Sequence, residues 1–241
     1  MSRGRSAFRT EADRREVTLL IMIGVITILL WHSPYGAYLL YPFSILATWF
    51  HEMGHGLAAM AFGSQFERLV IFSDGSGYAL YYSAEQQSRV AMASIAAAGL
   101  LGPTVAGCLL ILASRKQSLT QIALLALGAA LIASTLIWVR STTGWVILPS
   151  IGAALLIIAL KGRPSHKRLA VQFLGVQGCI SIYRDFGYLF SEGGTLGGRQ
   201  QLSDTGHIER ALFLPYWFWG IVITALIAIM VLYALKRAHL R

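Results

Sequence analysis

Long apolar runs separated by short polar breaks dominate the chain. Apolar residues fill Val17–Trp31, about 38–62, Val90–Ala113, Leu119–Val139, Trp145–Leu160, Leu169–Phe190 and Ala211–Leu235. The longer runs reach the roughly 20 residues a helix needs to cross a bilayer. The breaks carry helix-ending chemistry: Pro34 and Gly36, the polar Ser114-Arg115-Lys116-Gln117, Arg140 to Gly144, and Pro164 within Lys161–Arg168. One stretch changes period. Phe66, Leu69–Phe72 and Tyr78–Tyr82 favour strands and flank Ser73-Asp74-Gly75-Ser76-Gly77, which predicts a β-hairpin over about 64–88 with Asp74 in its turn. The pattern predicts an all-α polytopic membrane protein of about six to seven transmembrane helices, with the hairpin following the second. Residues 17–235 form one domain between a basic arm (1–16) and a basic tail (236–241). Ser191–Arg210 is polar and Gly-rich, a flexible connector or a mobile access loop.

Composition agrees. Of 241 residues, 56% are hydrophobic and 13% charged, and the mean hydropathy is +0.60. These values exclude an ordinary soluble domain. The net charge of +9 gathers in the arm, the 161–168 loop and the tail. Clusters that flank spans meet the lipid bilayer's anionic headgroups, and no nucleic acid partner is expected. An inside arm satisfies the positive-inside rule, but seven crossings then place the 161–168 loop and the tail outside. Either 145–160 or the first segment would have to stop short of crossing. Cys108 and Cys179 both lie in apolar runs and indicate no disulfide framework. The arm before Val17–Trp31 resembles a signal-anchor without a small-x-small cleavage site, so that run is kept as a span.

The second apolar run contains His51-Glu52-Met53-Gly54-His55. On a helix the two His lie one turn apart on one face. Two imidazoles so placed can bind one Zn²⁺, and Glu52 beside them can take a proton from water. A Glu between two His is costly in a bilayer, which favours a site over a polar seam joining helices.

Catalytic zinc takes three protein ligands. Of the 11 acids, only Glu52 and Asp185 sit well inside apolar runs, so Asp185 is the expected third ligand. With His51–His55 and Asp185 in runs two and six, separated by four crossings, their depths agree within about a helical turn at 1.5 Å per residue. Asp204 and His207 are weaker substitutes because they lie in the polar connector.

The motif inside a span, the hairpin after it and a later intramembrane Asp resemble the site-2-protease class of intramembrane zinc metalloproteases, in its compact bacterial-type branch without a PDZ insertion. The resemblance covers roughly 38–190. It implies that His51, His55 and Asp185 bind Zn²⁺, with Glu52 as the catalytic base. The family commonly has Leu-Asp-Gly at the distal Asp, where this chain has Arg184-Asp185-Phe186-Gly187. It also implies a transmembrane protein substrate, hydrolysed at peptide bonds, and a multi-pass protein of a bacterial inner membrane. Val70, Ile71, Phe72 or Tyr78, Ala79, Leu80 would pair with an unwound substrate by strand addition. The alternative is a non-proteolytic zinc-binding membrane protein, a pseudoprotease or assembly factor. Retention of Glu52 argues against it. A metal transporter would need polar residues along several spans, and runs three to five offer almost none.

Overall fold

A computed structural model describes residues 11–84, 86–184, 186–196 and 199–239, without the side chains of 12, 13, 195–200 and 239. Its elements follow the apolar punctuation. In chain order they are α1 (Glu11–Trp31), α2 (Pro34–Ala61), β1 (Gln65–Ile71), β2 (Gly77–Tyr82), α3 (Arg89–Ala113), α4 (Gln117–Ile137), α5 (Thr142–Lys161), α6 (Pro164–Arg184), α7 (Phe186–Leu189), β3 (Gly193–Leu196), β4 (Arg199–Leu202), α8 (Asp204–Leu212) and α9 (Tyr216–His239). Helix thus dominates the described residues, with two small hairpins, and the chain has the architecture of a multi-pass membrane protein.

Four helices, α3, α4, α5 and α9, are long and apolar enough to cross a membrane, and a fifth span exists if α1 and α2 count as one broken crossing. Pro34 opens α2, where its missing N–H costs nothing. The chain turns there, and the two helix axes differ by 118°. This count is lower than the six to seven expected from apolar runs. The difference lies in the α1–α2 bend and in α6. The described α6 starts at Pro164 and takes in Lys167, Arg168, Gln172 and Gln177. Lys167, Gln172 and Gln177 are buried, and Gln177 donates to Thr27 Oγ1 of α1 at 2.8 Å. This helix spends its polar groups inside the bundle, where such groups must find partners.

The hairpin forms where Ser73–Gly77 predicts it. Asp74 Oδ1 accepts from the Ser76 N–H at 2.9 Å and its hydroxyl at 2.6 Å. Those two bonds hold the Asp74 carboxyl below the usual carboxylate range. Gly75 follows with φ +89°, a conformation that glycine adopts without strain. β1 and β2 pair antiparallel, with Leu69 opposite Ala79 and Val70 opposite Tyr78. The hairpin lies back along α2: Thr48 Oγ1 donates to the Gly75 carbonyl at 2.6 Å and Tyr41 to that of Ser73 at 2.8 Å.

β1 is held on its other side too. Leu69 N–H donates to the Trp138 carbonyl, and the Arg140 N–H to the Leu69 carbonyl, both at 2.8 Å. The Ile71 N–H donates to Ser141 Oγ at 3.0 Å. A core of Ile45, Trp49, Leu69, Ile71, Leu124, Leu131 and Leu148 fixes the hairpin against α2, α4 and α5.

Candidate metal centre

His51, Glu52 and His55 lie in the second half of α2, where it packs on α3. The helices approach closely because the contact is made of small residues. A Cβ on Gly54 would collide with the Ala98 carbonyl, and one on Gly99 with the His55 ring. His55 is 8% exposed and Glu52 5%.

His55 Nδ1 lies 2.9 Å from the Ile95 carbonyl. A carbonyl only accepts, so Nδ1 carries the proton and Nε2 presents a lone pair. That lone pair faces His51 Nε2 at 3.1 Å and Asp204 Oδ1 at 3.3 Å. Asp204 Oδ2 lies 3.0 Å from His51 Nε2, is buried and has no hydrogen-bond partner. One ligand atom from each of His51, His55 and Asp204 lies within 4.8 Å of the others, the one such group among the described residues. Acceptors converging in a buried space are satisfied by a cation, and two imidazoles with one carboxylate form a catalytic zinc donor set. The residues present therefore fit a zinc ion.

Asp204 arrives from the polar connector. Ser203 caps α8, accepting from the Gly206 N–H at 3.1 Å. Ile208 and Ala211 bury against Ala93, Ala96 and Leu100 of α3. This docking carries Asp204, 6% exposed, to the motif helix. Asp185 lies outside the described residues. Ser191–Arg210, read from sequence as a connector or access loop, is built as β3, β4 and α8. The signal for Asp204 was Ser203, a good N-cap residue before an acid in the first turn.

Two cavities meet at His51 and Glu52. One, of 310 Å³, runs past Thr48, Gly75 and Ser76 toward Ser181 and Arg184. The other, of 340 Å³, is bordered by Tyr81, Gln87, His207 and Arg210. β2 borders both. Phe72 N–H donates to the Ser76 carbonyl at 2.8 Å. Alternation then points the main-chain groups of Tyr78 and Leu80 at β1, and those of Gly77, Ala79 and Tyr81 away from it. No strand among the described residues pairs with that outer edge. The Ala79 N–H is within hydrogen-bonding reach of the Glu52 carboxylate. Ile71 on β1 has its outer edge taken by Ser141, and Val70 and Phe72 face β2.

No curated protein and no solved structure matches the chain. A family model described as Peptidase M50B-like matches residues 20–235, well beyond the 38–190 over which the motif and hairpin carry the site-2-protease resemblance. The metal-ligand geometry and the family match agree, and the chain belongs to the Peptidase M50B-like, site-2-protease-like family.

Proposed function

We propose that this protein is an intramembrane zinc metalloprotease that cuts peptide bonds of transmembrane protein substrates. One observation carries the reading: His51, His55 and Asp204 converge beside the buried Glu52, directly under the open edge of β2. A zinc ion held by the two imidazoles and the carboxylate would lower the pKa of a water and polarise a carbonyl. Glu52 is the general base. It takes a proton from the attacking water and returns it to the leaving amine.

The outer edge of β2 positions the substrate. A membrane helix hides its carbonyls in its own hydrogen bonds, so it must unwind before it can react. Gly77, Ala79 and Tyr81 offer an unwound segment replacement main-chain partners, as in strand addition. β1 cannot do this, because its outer edge is already bonded. The two cavities leave room for chain on either side of the metal.

The test is co-expression with a single-span substrate, comparing the native protein with Glu52→Gln after metal analysis of both. The expected result is equal zinc and a loss of cleavage on the order of 10²–10⁴-fold, the usual worth of a general base. Robust proteolysis by Glu52→Gln would remove Glu52 from this role. Zinc without cleavage in the native protein would favour the non-proteolytic reading.

A further inference from the structure

The two cavities that meet at the metal centre differ in chemistry. The first is walled largely by Ala47, Leu100, Pro103 and Ile182, with Arg184 at its far end. The second opens from the same His51 and Glu52 but is walled by Tyr81, Gln87, His207 and Arg210. Helix α8 makes the difference. His207 and Arg210 stand three residues apart and so share one face of it. Arg210 lies about 9 Å along the helix axis from Asp204, at 1.5 Å per residue.

The polar groups of the second cavity are uncommitted. Among the described residues, the side chains of Tyr81, His207 and Arg210 have no hydrogen bond or ion pair. The acids nearby are taken. Asp204 faces His51 and His55, Glu52 meets the Ala79 N–H beside them, and Glu209 accepts from the Tyr216 N–H at 2.9 Å. Arg210 therefore brings a positive charge to the cavity wall with no counter-charge among the described residues.

Strand β2 leads toward that charge. Gly77 borders both cavities, and Tyr81 borders only the second. A chain paired on the outer edge of β2 would pass Glu52 at Ala79 and reach Tyr81 two residues on, roughly 7 Å away. Along α3, Met92 and Ala96 of the second cavity precede Leu100 and Pro103 of the first by about two turns. The second cavity thus lies toward the start of a candidate span, where a charged side chain is less costly than at its middle.

We propose that the second cavity is a specificity subsite for an acidic side chain of the substrate, about two to four residues from the bond cut. The subsite rests on the proteolytic reading above. Arg210 supplies the counter-charge, and the Tyr81 hydroxyl and His207 donate hydrogen bonds to the carboxylate. The apolar part of the same substrate occupies the first cavity. The protein thereby selects an apolar segment that ends in an acid.

The test begins by mapping the cut in a single-span substrate by mass spectrometry. Glu, Gln or Lys is then placed at each of four positions on either side of the cut, in C-terminally amidated substrates, so that only the side chain varies. On one side of the cut, the native protein is expected to prefer Glu to Gln by about two- to fivefold in kcat/KM, the worth of an exposed ion pair. Arg210→Lys should keep this preference, Arg210→Gln should cut both alike, and Arg210→Glu should prefer Lys. A role confined to the end of α8 would lower Tm and leave the preference native, which overturns the subsite. So does the absence of any Glu preference in the native protein. Loss of the preference in Arg184→Gln instead would put the acid in the first cavity and overturn it too. Binding of the same substrates to Glu52→Gln, followed by fluorescence anisotropy in detergent, reads the subsite without catalysis. A Glu preference in binding by a protein that cuts nothing keeps the subsite and sinks the proteolytic reading, and cleavage without preference does the reverse.

Discussion

The His55 Nδ1–H donates to the Ile95 carbonyl at 2.9 Å, which fixes the tautomer whose Nε2 faces Asp204. The bond forms because Gly99, one turn beyond Ile95 on α3, leaves room for the imidazole. The Gly99→Ala variant is expected to push the ring off this bond. Overpacking of this kind costs about 1–3 kcal/mol. Zinc content should fall and Tm should drop, measured by metal analysis and thermal unfolding in detergent. Unchanged zinc would mean that the ring is not held this way.

Asp204 and Asp185 make opposite predictions. If Asp204 closes the centre, Asp204→Asn removes zinc while Asp185→Asn retains it. The affinity lost by Asp204→Asn should exceed the roughly 10–100-fold that losing an outer-shell partner costs. Competition with a chelator of known affinity measures it. Zinc loss in Asp185→Asn alone would restore the ligand expected from the apolar pattern.

The open edge of β2 is testable by removing a single N–H. Ala79 points its main-chain groups away from β1, so Ala79→Pro spares the hairpin ladder. It deletes one donor to a substrate strand, worth about 0.5–1.5 kcal/mol or roughly two- to tenfold in rate. Because the same N–H also faces Glu52, the control is Tyr81→Pro, which removes the next outward donor. Cleavage should fall in both variants with zinc unchanged. Full activity in both would rule out pairing on this edge.

A buried hydrogen bond joins α2 to α4: Trp49 Nε1 donates to Ser134 Oγ at 3.0 Å. Hydrogen bonds between membrane helices average only about 0.6 kcal/mol. Ser134→Ala should therefore lower Tm slightly and leave zinc binding intact. A collapse of the fold would show that this pair anchors the motif helix far more strongly than such bonds usually do.

Much of the fold was legible because its signals are local. Pro34, Pro164 and the Ser73–Gly77 turn each act within a few residues of themselves. His51, Glu52 and His55 were legible as a set because an α-helix alone brings the two imidazoles to one face. Asp204 is less legible, because it stands in a polar stretch and α8 is a short polar helix brought in by burying Ile208 and Ala211. That is a tertiary event, and Ser203 marks the helix start without saying where the helix docks. The crossing count is less legible for a related reason. Apolar runs report length and hydrophobicity, but not the bend between α1 and α2 or the inward-facing glutamines of α6.

Two of the candidate metal ligands belong to the motif helix in the core of the bundle, and the third belongs to a nine-residue helix that follows a small hairpin. An ion bound by all three is a fastener between parts of the chain far apart in sequence. Holding it would clamp α8 onto α3 beside the mouth of the cavities, so metal occupancy and the shape of the entrance are one equilibrium.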